Sequence, residues 1–427
     1  MNSSAVIAHS LEGHCGIDEW VYQAVFQTDP SLKQLARRKI REMAKTQGIV
    51  SKSIGPLYKA RGEGNCQGFT VPAFNIRGLT YDVARAVFRA AKSAQARAFI
   101  FEIARSEISY TDQSPDEYAV CVLAAAIKED FGGTIFLQGD HFQFRLSAYQ
   151  KDPEGEIQAI RNLIKEAIEA EFYNVDIDAS TLVDLSKPTI REQQELNATL
   201  TAEMTRCVRS LEPEGMSLSV GGEIGEVGGR NSTVEELRAF LDLYREKMGD
   251  SARGLSKVSV QTGTTHGGVP LPDGRIAKVM LDFDVLARLS SVARDHYGLS
   301  GAVQHGASTL PEEAFDRFPK IETAEIHLAT GFQNMIYESP HLPLDFLERV
   351  YGVLRERCKE EWKEEQTEEQ FFYKTRKKAF GFLKKDFWDL PESVREPIGK
   401  ELEEKFRFLF EKLQVTETEE LVNEWIG

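Results

Sequence analysis

No run of about eighteen uncharged apolar residues occurs anywhere in the 427-residue chain, so nothing in it reads as a membrane-spanning helix. The first eight residues (MNSSAVIA) lack the charged lead and long apolar core of a signal peptide, and a cytoplasmic location is the expectation. Cysteine is scarce. The five present, Cys15, Cys66, Cys121, Cys207 and Cys358, are odd in number, widely spaced and never in a CxxC pair, which excludes a disulfide framework or a cysteine-ligated zinc site. Positive charge is in deficit: 52 lysines and arginines against 67 acids leave a formal charge of −15. A general affinity for nucleic acid or acidic membranes is thereby excluded, although a local basic pocket is not. There is no internal repeat, low-complexity tract or GxGxxG fingerprint. The one glycine-rich run, GGEIGEVGG at 221–229, has the wrong spacing and carries glutamates that would repel a pyrophosphate.

What remains is ordinary globular material, 41% hydrophobic and 28% charged, with ample apolar residues for a large core. Apolar runs of strand length recur at 71–76, 98–103, 134–138, 173–178, 217–224, 257–263, 302–306 and 324–329. Between them lie amphipathic stretches of helical period, clearest at 80–94, 153–170, 233–247 and 283–296. Thr233 with Glu235 and Glu236 supplies an N-cap and first-turn acids. Strand and helix in alternation predict βαβ units and a parallel sheet. Eight strands are the number that closes a (β/α)8 barrel, although an open doubly wound sheet uses the same alternation.

Residues 1–52 form the expected N-terminal helical segment, with a basic helix at 31–47; 53–343 form the barrel, entered by a helix at 55–64; 344–427 form a charged, aromatic helical extension. Trp362, Phe371, Phe372, Phe380, Phe387 and Trp388 are too many aromatics for a solvated tail, and are expected to pack on the barrel or across a subunit interface. The KTRKK run at 374–378 reads as a solvated helix face or, less commonly, as a phosphate or nucleic-acid patch.

Barrel enzymes place their chemistry at the C-terminal ends of strands. Three of the eight histidines follow apolar runs: His141, His266 and His305. A single histidine there is usually structural, but three converging imidazoles with an open position form a catalytic zinc site. Asp140, beside His141, is either a general base or a carboxylate that orients a histidine. Glu223 is a ligand or an anchor for one. Gly267 and Gly306, each following a candidate ligand, allow the backbone to approach an anion or make plain tight turns; Ser308 and Thr330 add hydroxyl donors.

In their shared order these landmarks resemble the class II, metal-dependent fructose-bisphosphate and tagatose-bisphosphate aldolase family. The resemblance rests on VPAFN at 71–75, GDH at 139–141, EAEFY at 169–173 followed by DAS at 178–180, GEIG at 222–225, GTTHG at 263–267, LDFD at 281–284 and HGAS at 305–308. It implies that His141, His266 and His305 bind Zn2+, one ion per chain, with Glu223 near it and a monovalent cation as a second candidate ion. Asp140 becomes the catalytic acid/base. Asn75, Gly267, Gly306, Ser308, His327, Ala329 and Thr330 become the substrate and phosphate site. The implied reaction is reversible cleavage of a phosphorylated ketose, foremost fructose 1,6-bisphosphate, through a zinc-stabilised enediolate, in a dimer or tetramer of identical chains.

Departures from the family cluster at the substrate. Arg230-Asn231-Ser232 replace an acidic pair and a longer loop, so the donor-side base is unassigned, with Glu226 a weak substitute. Pro270 stands where a phosphate-binding lysine is frequent, His327 replaces a substrate-contacting asparagine, and Ala104 a serine. Replacement cations are sought among Arg77, Arg105, Arg230 and Lys278. Another ketose, a sugar-phosphate epimerase or isomerase, and a non-catalytic scaffold or regulatory paralogue are the alternatives.

Overall fold

The computed structural model describes residues 16–225, 229–249, 253–263 and 281–427. Eight parallel strands close into a barrel: β1 Val71–Asn75, β2 Ile100–Ala104, β3 Leu137–Gln143, β4 Asn174–Asp178, β5 Ser219–Glu223, β6 Lys257–Val260, β7 Ala302–Gln304 and β8 Glu325–Leu328. Each strand pairs with the next, and β8 closes on β1, Glu325 opposite Val71 and His327 opposite Ala73. The expected (β/α)8 barrel is therefore the fold, and seven of the eight expected strands form it where expected. The third differs in detail. Residues 133–135 leave the barrel and pair with Ile49–Ser51 in a separate two-stranded parallel sheet, and the barrel strand begins at Leu137 and runs on through Asp140 and His141.

The helix expected at 233–247 begins at its expected cap, and a second barrel helix is likewise capped by a side chain. Thr233 and Glu236 exchange hydrogen bonds across the first turn of Val234–Met248, the Glu236 N–H donating to Thr233 Oγ1 at 3.2 Å and the Thr233 N–H to Glu236 Oε2 at 2.8 Å. Asp282 caps Phe283–Tyr297 by accepting from the Val285 N–H at 3.0 Å, and Gly298 ends it in the left-handed conformation. The helix Gly55–Gly62 crosses the N-terminal mouth, where Tyr58 donates to Glu325 and the Ile54 N–H donates to Asn174 at 2.8 Å.

The C-terminal residues build part of the wall. Helix Glu392–Lys412 lies along Thr80–Ala94, and Phe406 and Phe410 set their rings 4.9 and 5.6 Å from Phe74 of β1. Phe371, Phe372, Phe380, Phe387 and Trp388 are buried within this same chain; Trp362 remains 41% exposed. No helix among the described residues is long and apolar enough to cross a membrane.

Branched apolar side chains usually fill such a barrel. Here the interior is charged. Glu102, Gln138, Asp176, Lys257 and Glu325 are all buried, and the bonds between them run across the barrel: Gln138 of β3 donates to Glu325 of β8 at 2.7 Å, and Lys257 of β6 donates to Gln138 at 2.8 Å. The apolar core is the shell between strands and helices.

Candidate metal centre

Asp140 and His141 are adjacent in β3, and adjacent residues of a regular strand face opposite sides. The register of β3 against β4 shifts between Gly139 and Phe142, and His141 takes φ 39°, a left-handed value that non-glycine residues seldom adopt. This bulge turns both side chains into one cleft at the C-terminal end of the barrel. Gly139 makes it possible: a Cβ there would lie 2.3 Å from the Phe142 ring.

Three imidazoles meet in the cleft. The ring centroids of His141 and His305 are 4.1 Å apart, and those of His305 and His327 4.0 Å. Ligand atoms of Asp140, His141 and His305 lie within 4.8 Å of one another, a spacing that one divalent ion can span. Expected ligand His266 lies outside the described residues, as do Gly267, Pro270, Lys278 and Glu226.

Glu223, at the end of β5, and Asp178, at the end of β4, approach the same atom, Nδ1 of His141, at 2.9 and 3.2 Å. Carboxylates on Nδ1 fix the ring and direct Nε2 inward, where Asp140 Oδ1 is 3.9 Å away. Against burial, Asp140 and Glu223 hold the His141 pKa well above the ordinary histidine range. Nε2 of His305 is 3.0 Å from Ser259 Oγ.

The cleft has a volume of about 460 Å³. Asn75, Gly306, Ser308, His327, Ala329 and Thr330 all line it, as expected of a shared site. Asn75 turns its amide to Glu107, 2.5 Å away. Gly306 takes φ 68°, and Ser308 Oγ accepts from the Gly331 N–H at 3.1 Å. Thr330 Oγ1 accepts from Arg77 Nη1 at 3.2 Å. Of the four cations considered, Arg77 and Arg105 line the cleft, each also paired with an acid: Arg77 with Glu107 at 2.8 Å and Arg105 with Glu156 at 2.5 Å. Arg230 instead pairs with Glu236 at 2.5 Å.

Several lining residues escaped the sequence reading. Arg145, Glu102, Glu107, Tyr110 and Lys377 are among them. Lys377 belongs to the KTRKK run, whose solvated-face reading fails at Thr375, Arg376 and Lys377. Arg376 is buried against Asn334 and Glu338, and Lys377 enters the cleft with Nζ 5.3 Å from the Tyr110 ring centroid. Packing explains the entry. A Cβ on Gly381 would lie 2.1 Å from the Tyr110 carbonyl oxygen, and one on Gly78 2.0 Å from the Phe380 ring, so this segment is pressed against the barrel top.

A family model for class-II fructose-bisphosphate aldolase matches residues 61–385, three-quarters of the chain. The chain belongs to the class II fructose-bisphosphate aldolase family. It is accordingly an aldolase, a carbon–carbon lyase of a metal-dependent family, and the match runs past residue 343 to include Lys377. Solved structures share the fold at low identity. The YdjI aldolase of Escherichia coli superposes with TM-score 0.50 at 14% identity, covering 86% of this chain and 98% of its own. The fructose-bisphosphate aldolase of Campylobacter jejuni gives 0.50 at 18%, covering 87% and 97%. A probable tagatose 6 phosphate kinase of Sinorhizobium meliloti gives 0.56 at 15%, covering 83% and 93%. No curated protein matches the chain.

Proposed function

We propose that this aldolase reversibly cleaves a phosphorylated ketose to a dihydroxyacetone-phosphate-like donor and an aldehyde, with fructose 1,6-bisphosphate the first candidate substrate. The observation that carries the reading is the convergence of Asp140, His141 and His305 in one cleft at the barrel's catalytic end. His141, His266 and His305 would hold Zn2+, with Glu223 and Asp178 setting the His141 ring. A divalent ion bound there supplies an electrophile for the negative charge that develops on ketose oxygens when the carbon–carbon bond breaks.

The chain's own residues do the rest. Asp140 accepts the proton of the hydroxyl next to the breaking bond and returns it in condensation. Gly306, Ser308 and Thr330 receive a phosphate, and Arg77, already on Thr330, supplies the positive charge that Pro270 does not. Lys377 and Arg105 extend the positive lining. One observation favours a ketose other than fructose 1,6-bisphosphate as a second reading. Both ring nitrogens of His327 face carboxylates, Glu102 and Asp140 on one side and Glu325 on the other, so the position does not offer substrate the amide an asparagine would.

The test is a screen of ketose mono- and bisphosphates with Zn2+ present, reading released triose phosphate. Asp140→Asn should retain the ion held by the three histidines and lose cleavage. Turnover that survives complete chelation, or a carbonyl product released without a second fragment, would refute the reading. Light scattering tests the homo-oligomer that family analogy implies.

A further inference from the structure

We propose that a second divalent cation binds inside the barrel, between Glu102 of β2, Asp140 of β3 and His327 of β8. The three side chains are 0, 4 and 4% exposed and line the floor of the cleft. Nδ1 of His327 stands 3.1 Å from Glu102 Oε2 and 3.1 Å from Asp140 Oδ1, yet makes a hydrogen bond to neither oxygen. Donors that bond to one small ion at about 2.0–2.2 Å stand about 3.0–3.5 Å apart and point at a common centre instead of at each other. The three atoms meet that description.

The surroundings are those of a ligated imidazole. The other ring nitrogen of His327, Nε2, is 2.6 Å from Glu325 Oε1. A carboxylate there accepts a hydrogen bond from the Nε2 N–H, fixes the tautomer and turns the lone pair of Nδ1 toward the ion. Glu325 is itself held by Lys257 at 2.5 Å, by Gln138 at 2.7 Å and by Tyr58. Gln138 also donates to Glu102 Oε2 at 3.0 Å, and Glu102 Oε1 is buried without a hydrogen bond, a second donor aimed into the same pocket.

Charge argues the same way. Two buried carboxylates and a neutral imidazole are balanced by one divalent ion, and mixed oxygen and nitrogen donors suit Zn2+, Mn2+ or Co2+ better than Ca2+. The site shares only Asp140 with the centre described above, which makes that carboxylate a bridge between two ions.

The test is metal stoichiometry on the full chain. Protein stripped with chelator is titrated with Zn2+, freed of unbound ion and analysed by mass spectrometry. Wild type should hold two ions per chain; Glu102→Gln and His327→Asn should each weaken one of them at least tenfold and leave the other unchanged. Should either variant fail to fold, wild type loaded with Mn2+ decides. Two ions bridged by Asp140 give an exchange-coupled paramagnetic resonance spectrum in place of the isolated six-line signal. A single ion in wild type, a second ion indifferent to both substitutions, or two magnetically isolated Mn2+ ions would overturn the proposal. Triose phosphate release is measured separately, so failure here leaves the aldolase reading standing and failure there leaves this one.

Discussion

Lys257→Met probes the charged interior most directly. Lys257 is 1% exposed, with Nζ 2.5 Å from Glu325 and 3.0 Å from Asp176. Methionine has nearly the same length, so little cavity forms and the cost is electrostatic. Burial favours the neutral amine, but Asp176 and Glu325 outweigh it and raise the Lys257 pKa, so the cation persists through neutral pH. Burial likewise favours neutral Glu325, yet Lys257 and His327 bring that carboxyl down to about 2. Removing one partner of such a pair costs about 3–5 kcal/mol, because the other charge stays buried. At about 2.1 cal/mol/K per residue, a chain of this length has an unfolding entropy of about 0.9 kcal/mol/K, so Tm should fall by about 3–6 °C. Calorimetry or circular dichroism at fixed scan rate measures it. Lys257→Met with Glu325→Gln should recover part of the loss, since one of the two carboxylates left without the lysine is then gone and Asp176 remains. A single variant within 1 °C of wild type would refute the claim that this ion pair is what makes a charged barrel core tenable.

Three further outcomes follow from the same groups. Burial pushes Glu102 up to about 8, His327 opposing and Asp140 reinforcing, and burial also carries Asp176 to about 6. An acid raised in the folded state stays protonated where the unfolded chain has ionised, so metal-free protein should lose stability as pH rises, by up to about 1.4 kcal/mol per pH unit for each group, from about 3.8 to 6 for Asp176 and from about 4.5 to 8 for Glu102. Imidazoles raised above their ordinary value, His141 and His327, act in the same direction above pH 6.5. Tm in chelator across this range tests the slope, and Glu102→Gln should flatten it. Glu223→Gln, which weakens the carboxylate on His141 Nδ1, should lower Zn2+ affinity about 10–100-fold by equilibrium dialysis without shifting the far-ultraviolet spectrum. Phe406→Ala should destabilise the fold by about 3–5 kcal/mol while the metal content of the folded protein is unchanged, because its ring meets Phe74 and Phe332 outside the barrel.

The barrel was legible because each strand is a short apolar run and the helices between them repeat apolar residues at threes and fours. The third strand was misplaced for a reason of the same kind. Residues 134–138 are one apolar run in sequence, but Gly133–Ile135 pairs with Ile49–Ser51 before the chain turns into the barrel, and no local pattern marks that division. Asp140, His141 and His305 stood out as polar residues directly after apolar runs. Glu102, Lys257 and Glu325 did not, because each lies within such a run. A charge at a strand position that alternation turns inward is itself a signal, and charges of both signs on different strands point to pairing across the interior. Lys377 had no such signal. The spacing of KTRKK suits a solvated face, and only the pressing of Gly381 onto Tyr110 carries it into the cleft.

Placing acids, a lysine and histidines inside the barrel removes the apolar burial that ordinarily stabilises its centre, so stability has to come from the shell. The chain meets that need with aromatics from its last residues. Phe406 and Phe410 pack on β1, the Thr70 N–H donates to the Leu413 carbonyl at 3.0 Å, and the Glu417 N–H donates to Ala94 at 3.0 Å. The two ends of the molecule's chemistry are thus separated in space: packing outside the strands holds the cylinder closed, and polar groups within it are left to bind ions and move protons. Substitutions in the shell should therefore shift melting without touching metal affinity. Substitutions at Lys257 or Glu325 should shift both, since Glu325 rests on the lysine and His327 rests on Glu325.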